Sequence, residues 1–275
     1  MTVLLSLLAA ASYGLSDFVG GLVSRQVSPW AVALASQIGG GAAVLTVALS
    51  VGGDPAAADL WWGAAAGVGN GVGTAFLYRG LSSGRMGVVA PVSGVAAALV
   101  PVVVGVSSGE RPAAVAWLGI AVALPAIWLV SRQPTSGSPG PSGLLDGVLG
   151  GLGFGTLFAA LAQVDEGAGF LPLALNQALG ALVIVAIAST LRAPWLPRQP
   201  RAALGAVSGL LGAAATGLFM VATRGEQLTI SAVVVSLYPA FTVVLAALVL
   251  REHVHRAQAV GLGLCAAAVT LVAVG

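Results

Sequence analysis

The stretch QPTSGSPGPSG, residues 133–143, leaves 132 residues on either side of it in a chain of 275. Gly, Pro and Ser in this density support no regular element, so the stretch reads as a flexible linker between two halves of equal length. Each half holds five long apolar segments. They lie near 3–22, 30–51, 60–80, 86–107 and 113–131, then near 144–163, 170–190, 202–223, 228–250 and 257–274. A membrane-crossing helix needs about 20 mostly apolar residues, and each segment is close to that length. The expected architecture is an all-α integral membrane protein of ten transmembrane helices, built as a five-helix repeat over 1–132, the linker, and a second five-helix repeat over 144–275.

Composition supports the membrane assignment. Charged residues make up 7% of the chain, residues of the AVILMFWYC set 58%, and the mean hydropathy is +1.01. Soluble domains carry roughly 25% charged residues, so a soluble enzyme is excluded. The basic residues are 11 arginines, too scattered for a phosphate-binding face, so no nucleic acid is expected as a partner. One cysteine, Cys265, excludes a disulfide framework. A membrane β-barrel requires alternating segments of about 10 residues, and these runs are continuous and twice as long. The first segment has no positive n-region and continues past Tyr13, so it is read as a retained span and not as a cleaved signal.

The halves are related. A constant shift of 142 places Gly63, Gly67 and Thr74 on Gly205, Gly209 and Thr216, and Glu110 and Gly119 on Glu252 and Gly261. Five spans per half is an odd number, so the second half crosses the membrane in the opposite sense. Inverted repeats of this kind recur in secondary transporters, with the substrate site near the midplane where the halves meet.

The stretch SAVVVSLYPAFTVVLAALVLREHVHRAQAVGLGLCAAAVTLVAV, residues 231–274, carries Ser236 and Pro239 in a small-x-x-Pro pattern, then Glu252 and Gly261. The first copy keeps GERPAAVAWLG at 109–119 but has Ala97 where Pro239 maps, with prolines at 91 and 101 instead. These features resemble the EamA type of the drug/metabolite transporter superfamily. The resemblance implies two five-helix repeats and a transport role. It also implies gating at the helix breaks near Pro91 and Pro239, the break being shifted in the first copy.

Most charges fall in loops or near span ends. Asp17 is the exception, five residues inside the expected end of the first span, on a stripe with Ser6, Ala10, Tyr13 and Gly20. A carboxylate at that depth faces protein or water, which makes Asp17 the candidate coupling group; the alternative is an interfacial Asp, hydrated or paired with Arg25 or Arg79. The third span carries Gly63, Gly67, Asn70, Thr74 and Tyr78 at helical spacing, and the eighth carries Gly205, Gly209, Gly212, Thr216 and Met220. The glycines are expected to pack helices closely. Ser36-Gln37 and Asn176-Gln177 occupy similar places in the two halves. The expected cavity lining is Tyr13, Asp17, Gln37, Asn70, Thr74, Tyr78, Gln177, Thr216, Ser236 and Tyr238.

Such a lining suits a neutral or zwitterionic, amino-acid-like solute and poorly suits phosphates or nucleotide sugars. Glu110 and Glu252 are expected to stabilise the N-terminus of the fifth helix of each repeat. Trp30, Trp61, Trp62, Trp117 and Trp128 suit an aromatic belt. Glu252, His253 and His255 lack a fourth ligand, so no metal is assigned. Neither a cofactor nor a catalytic residue is expected.

The expected function is a secondary transporter in a prokaryotic plasma (inner) membrane, working by alternating access and exporting its solute passively or with protons. Its partners are then the bilayer, a small-molecule substrate and protons. The rival classes are an intramembrane enzyme and a non-transport scaffold. Nine of the 11 arginines fall on one side of the expected topology, with Arg111 and Arg224 on the other. The positive-inside rule puts both termini outside the cytoplasm, whereas relatives in the resembled family are drawn the opposite way. A C-terminal alkaline phosphatase fusion is expected to be active. Activity confined to a reporter that works only in the cytoplasm would overturn this orientation.

Overall fold

The computed structural model describes residues 1–82, 86–131, 141–223, 228–249 and 254–274, and it is helical throughout, with no strand among the described residues. The helices are α1 (Thr2–Ser24), α2 (Pro29–Val51), α3 (Ala57–Ser82), α4 (Met86–Ser107), α5 (Ala114–Ser131), α6 (Pro141–Leu161), α7 (Leu171–Thr190), α8 (Gly205–Thr223), α9 (Leu228–Val235), α10 (Tyr238–Val249) and α11 (Arg256–Val274). Pro141 opens α6, where a missing N–H costs nothing. Helix therefore begins inside the stretch read as linker, and residues 133–140 of that stretch lie outside the described residues.

Among the described residues, six helical segments are long and apolar enough to cross a membrane: Thr2–Ser24, Pro29–Val51, Gly143–Leu161, Leu171–Thr190, Pro200–Thr223 and Leu228–Val249. Three apolar helices are shorter over their described parts, Val92–Ser107, Ala114–Val130 and Arg256–Leu271. Large apolar side chains such as Val103, Leu182 and Leu248 point outward. Exposed apolar surface of this kind suits contact with lipid. Trp61 is largely exposed, but Trp30 is buried edge-on against Phe76, so it belongs to the interior and not to an interfacial belt.

The halves interlock. α3 packs against α6 and α7 of the second half, and α8 packs against α1 and α2 of the first. A Cβ added to Gly63 would lie 2.5 Å from the Pro172 carbonyl oxygen, and one on Gly67 2.7 Å from that of Asn176. With the halves exchanged, a Cβ on Gly205 would lie 2.6 Å from the Val32 carbonyl oxygen, and one on Gly209 would fall onto that of Ser36. The pairs 63:172 and 67:176 thus recur as 205:32 and 209:36, which is the signature of a pseudo-two-fold axis. Loop contacts obey the same exchange. The α1–α2 loop meets the α7–α8 segment through Ser28 donating to the Pro194 carbonyl and Arg201 donating to Gln26 at 3.1 Å. At the other end of the bundle the α6–α7 loop meets the α2–α3 loop and the first turn of α3, where the amide of Asp165 donates to Asp59 at 2.9 Å and that of Asp54 to the Gly167 carbonyl at 3.0 Å. The pseudo-axis therefore swaps the two ends of the bundle.

The fourth helices differ between the halves. Pro239 cannot donate to the Val235 carbonyl. The second copy is accordingly interrupted at Ser236–Leu237, between α9 and α10, where Leu237 donates to Val234 at 3.2 Å and Ala240 to Leu237 at 2.9 Å. By contrast α4 runs unbroken through positions 91 and 101. The expectation of a shifted break near Pro91 is corrected. A proline removes a single helical hydrogen bond, and in α4 the helix continues across that gap.

Glycine contact at the half-to-half interface makes a sharp prediction. Gly209→Ala places a methyl inside the Ser36 backbone and should lower the apparent melting temperature in detergent by several degrees, in line with overpacking costs of about 1–3 kcal/mol. Gly263→Ala, where an added Cβ meets nothing within 4 Å, should leave it unchanged. Equal melting temperatures for the two variants would refute this packing.

Candidate functional site

Between α1, α2, α3, α6, α7 and α8 lies a cavity at the junction of the halves. Eight of the ten lining residues read from the sequence meet there: Tyr13, Asp17, Gln37, Asn70, Thr74, Tyr78, Gln177 and Thr216. Ser236 and Tyr238 do not line it. They sit at the α9–α10 interruption, both buried, and Tyr238 reaches the site only through its ring, whose centroid is 6.3 Å from that of Tyr13.

The core of the site is a cluster of amides. The Asn70 side-chain amide donates to Gln177 at 2.8 Å and to Gln37 at 3.3 Å, while Thr74 donates to the Asn70 carbonyl oxygen at 3.2 Å. One helix of the first half thus bridges a glutamine from each half. The glutamines sit symmetrically: a Cβ on Gly180 would come within 3.0 Å of the Gln37 Nε2, and one on Gly40 would strike that of Gln177. Each glutamine lies over the glycine three residues beyond its counterpart.

On one flank, Tyr13 and Thr216 share a hydrogen bond of 2.5 Å, and Thr216 also donates to the Gly212 carbonyl at 2.7 Å. On the other, Tyr78 and Ser208 hydroxyls are 2.5 Å apart. Ser16 and Ser208 reach each other's carbonyls at 2.8 and 2.9 Å, fastening α1 to α8. Ser16 and Ser208 were not singled out from the sequence, although Ser208, Gly212 and Thr216 fall at four-residue spacing on one face of α8. Asp17 is half-buried, and among the described residues its carboxylate makes no hydrogen bond or ion pair. Arg79, one alternative partner, pairs with Asp146 instead and lies 4.5 Å over the Phe76 ring.

The space open to water centres is about 30 Å³, enough for about two waters. Toward the ends of α6 and α8 it is closed by aromatic rings, Tyr13 against Phe158 at 5.8 Å and Phe158 against Phe219 at 4.7 Å. Beyond them Glu110 accepts the backbone amides of Leu228 and Thr229 at 2.8 and 2.9 Å. Its capping role therefore falls on α9 of the other half, not on the fifth helix of its own repeat, because the α4–α5 loop brings the carboxylate to that buried helix start. Glu252, its counterpart, lies outside the described residues together with His253.

The model of the EamA-like transporter family matches residues 1–132 and again residues 141–274. The chain belongs to the EamA-like transporter family. Members of this family are transporters, and the chain is accordingly a multi-pass membrane protein with a two-repeat EamA architecture. A solved protein structure aligns over 95% of this chain and 98% of its own with a TM-score of 0.66 at 18% identity, a likeness of fold alone. No curated protein matches the chain.

In this EamA-like chain the pair Arg79–Asp146 joins α3 to α6, with Arg79 Nε donating to Asp146 at 2.8 Å. The Asp146 side chain is 4% exposed and that of Arg79 30%. Removing one partner strands a buried charge, so Arg79→Ala should cost about 3–5 kcal/mol, more than Arg79→Met combined with Asp146→Leu, which removes both charges. Thermal unfolding in detergent checks the order. A double variant less stable than Arg79→Ala would contradict it.

Proposed function

We propose that this chain is a ten-span secondary transporter whose inverted halves carry a small neutral or zwitterionic solute, amino-acid-like in its polar groups, by alternating access. The observation that carries the proposal is the uncharged amide and hydroxyl cluster of Gln37, Asn70, Thr74, Gln177 and Thr216 at the pseudo-two-fold junction. Amides and hydroxyls offer donors and acceptors together, which suits ammonium, carboxylate and amide groups of a solute without selecting net charge. An inverted pair of halves supplies two access states of similar energy around such a site. With room for about two waters, the present cavity is too small for an amino acid, so loading requires α1, α3, α6 and α8 to part. Tyr13 and Tyr78, tied across to Thr216 and Ser208 on opposite flanks, are the contacts that opening on one side or the other has to break.

In this scheme Asp17 is the coupling group, the interruption before Pro239 provides a hinge, and Pro91 marks the corresponding helix of the first half. Transport is in the export direction across a prokaryotic inner membrane, passive or proton-coupled. The test is uptake by proteoliposomes of radiolabelled neutral amino acids and other neutral metabolites, with and without a pH gradient. At least one solute should move, and failure of every solute under every gradient would sink the proposal. If movement is gradient-driven, Asp17→Asn should abolish the stimulation by the gradient while leaving solute exchange at equal pH. Full pH dependence in Asp17→Asn would remove Asp17 from the coupling step.

A further inference from the structure

Asn176 is fully buried, and neither its Oδ1 nor its Nδ2 has a hydrogen-bond partner among the described residues. A buried amide with both ends unsatisfied is unfavourable in the state that holds it, and a purely apolar side chain would serve that state better. The pseudo-two-fold axis shows where the residue belongs in the other arrangement of the halves. The Asn176 carbonyl packs on Gly67 as the Ser36 carbonyl packs on Gly209, and each residue immediately precedes a glutamine of the amide cluster. Ser36 lines the cavity, whereas Asn176 does not.

We propose that Asn176 lines the substrate pathway in the opposite access state, where its amide takes the place that Ser36 holds here and hydrogen-bonds the solute. The proposal rests on the alternating-access reading. When the second half adopts the arrangement of the first, the α3–α7 glycine contact persists as that of α8 with α2 does, and α7 comes to stand to α6 and α8 as α2 now stands to α1 and α3, which turns the Asn176 side chain from the interior into the cavity. The unpartnered donor and acceptor are then met by solute or water. Ser36 meanwhile turns away from the cavity, and as a small hydroxyl on a helix it can fall back on a carbonyl of the preceding turn. The halves are therefore unequal in kind: a hydroxyl serves one access state and an amide the other.

Single-cysteine accessibility tests this. In a Cys265→Ala background, Ser36→Cys and Asn176→Cys are treated with a membrane-impermeant quaternary-ammonium methanethiosulfonate, on whole cells and on inverted membrane vesicles. The expected result is opposite sidedness, each thiol reacting at least tenfold faster from its own face of the membrane. The same sidedness for both, or reaction of Ser36→Cys alone, overturns the inference while leaving alternating access standing. Reaction of neither thiol from either face sinks the alternating-access reading itself. A second variant separates pathway from packing: Asn176→Leu should keep or raise the apparent melting temperature and slow transport of the fastest-moving amino acid of the panel at least tenfold. Asn176→Leu that loses stability, or that transports normally, is the overturning result.

Discussion

Everything in this bundle depends on backbone-to-backbone contact between the halves at glycine. α3 and α8 each press against helices of the opposite half so closely that no Cβ fits at Gly67 or Gly209. In lipid there is no hydrophobic gain from bringing helices together, so close van der Waals packing through small residues must supply the association. α3 carries this furthest, with glycines on two faces: Gly63, Gly67 and Gly71 against α7, and Gly69 and Gly73 against α6. The same richness in glycine leaves α3 out of the six segments that qualify as spans by length and hydropathy. Its place is set by packing and not by apolar content.

The site follows from that contact. Because α3 is wedged between helices of the other half, Asn70 arrives midway between Gln37 and Gln177 and can donate to both. Polar groups of this kind are expensive in hydrocarbon unless paired, and here they are paired across the half-to-half boundary. The cluster thus stabilises the closed arrangement and supplies the groups that a solute would compete for. The symmetry is imperfect, and the imperfection has a direction. Tyr13 and Phe154 take corresponding places in the cavity wall, but the Asp17 position corresponds to Phe158 and the Tyr78 position to Met220. One end of the pathway is consequently lined by hydroxyls and a carboxylate, the other by apolar and aromatic side chains.

Much of the cavity was legible because helical spacing is a local property. Asn70, Thr74 and Tyr78 share a face of any helix, as do Tyr13 and Asp17, and rare polar residues in an apolar chain stand out. What escaped was pairwise. Nothing in the chain joins Arg79 to Asp146, Ser16 to Ser208, or Glu110 to the start of α9, since each pair meets across the interlock of the halves. Ser236 and Tyr238 were drawn to the cavity by their neighbour Pro239, and the structure sets them one layer behind it. Proline dictates where a hydrogen bond is missing, but the surroundings decide whether the helix opens: it does before Pro239 and not in α4.

By itself the sequence determined the membrane character, the two related halves and the helical faces that bear polar groups. These follow from composition and from a period of 3.6 residues, which any segment carries without reference to the rest. Only the tertiary structure decided that the halves interlock, that two glutamines from different halves share one asparagine, and that Ser36 lines the cavity while Asn176 lies behind it. Those outcomes depend on which backbones can touch, and that is settled by the glycines of one half meeting the carbonyls of the other.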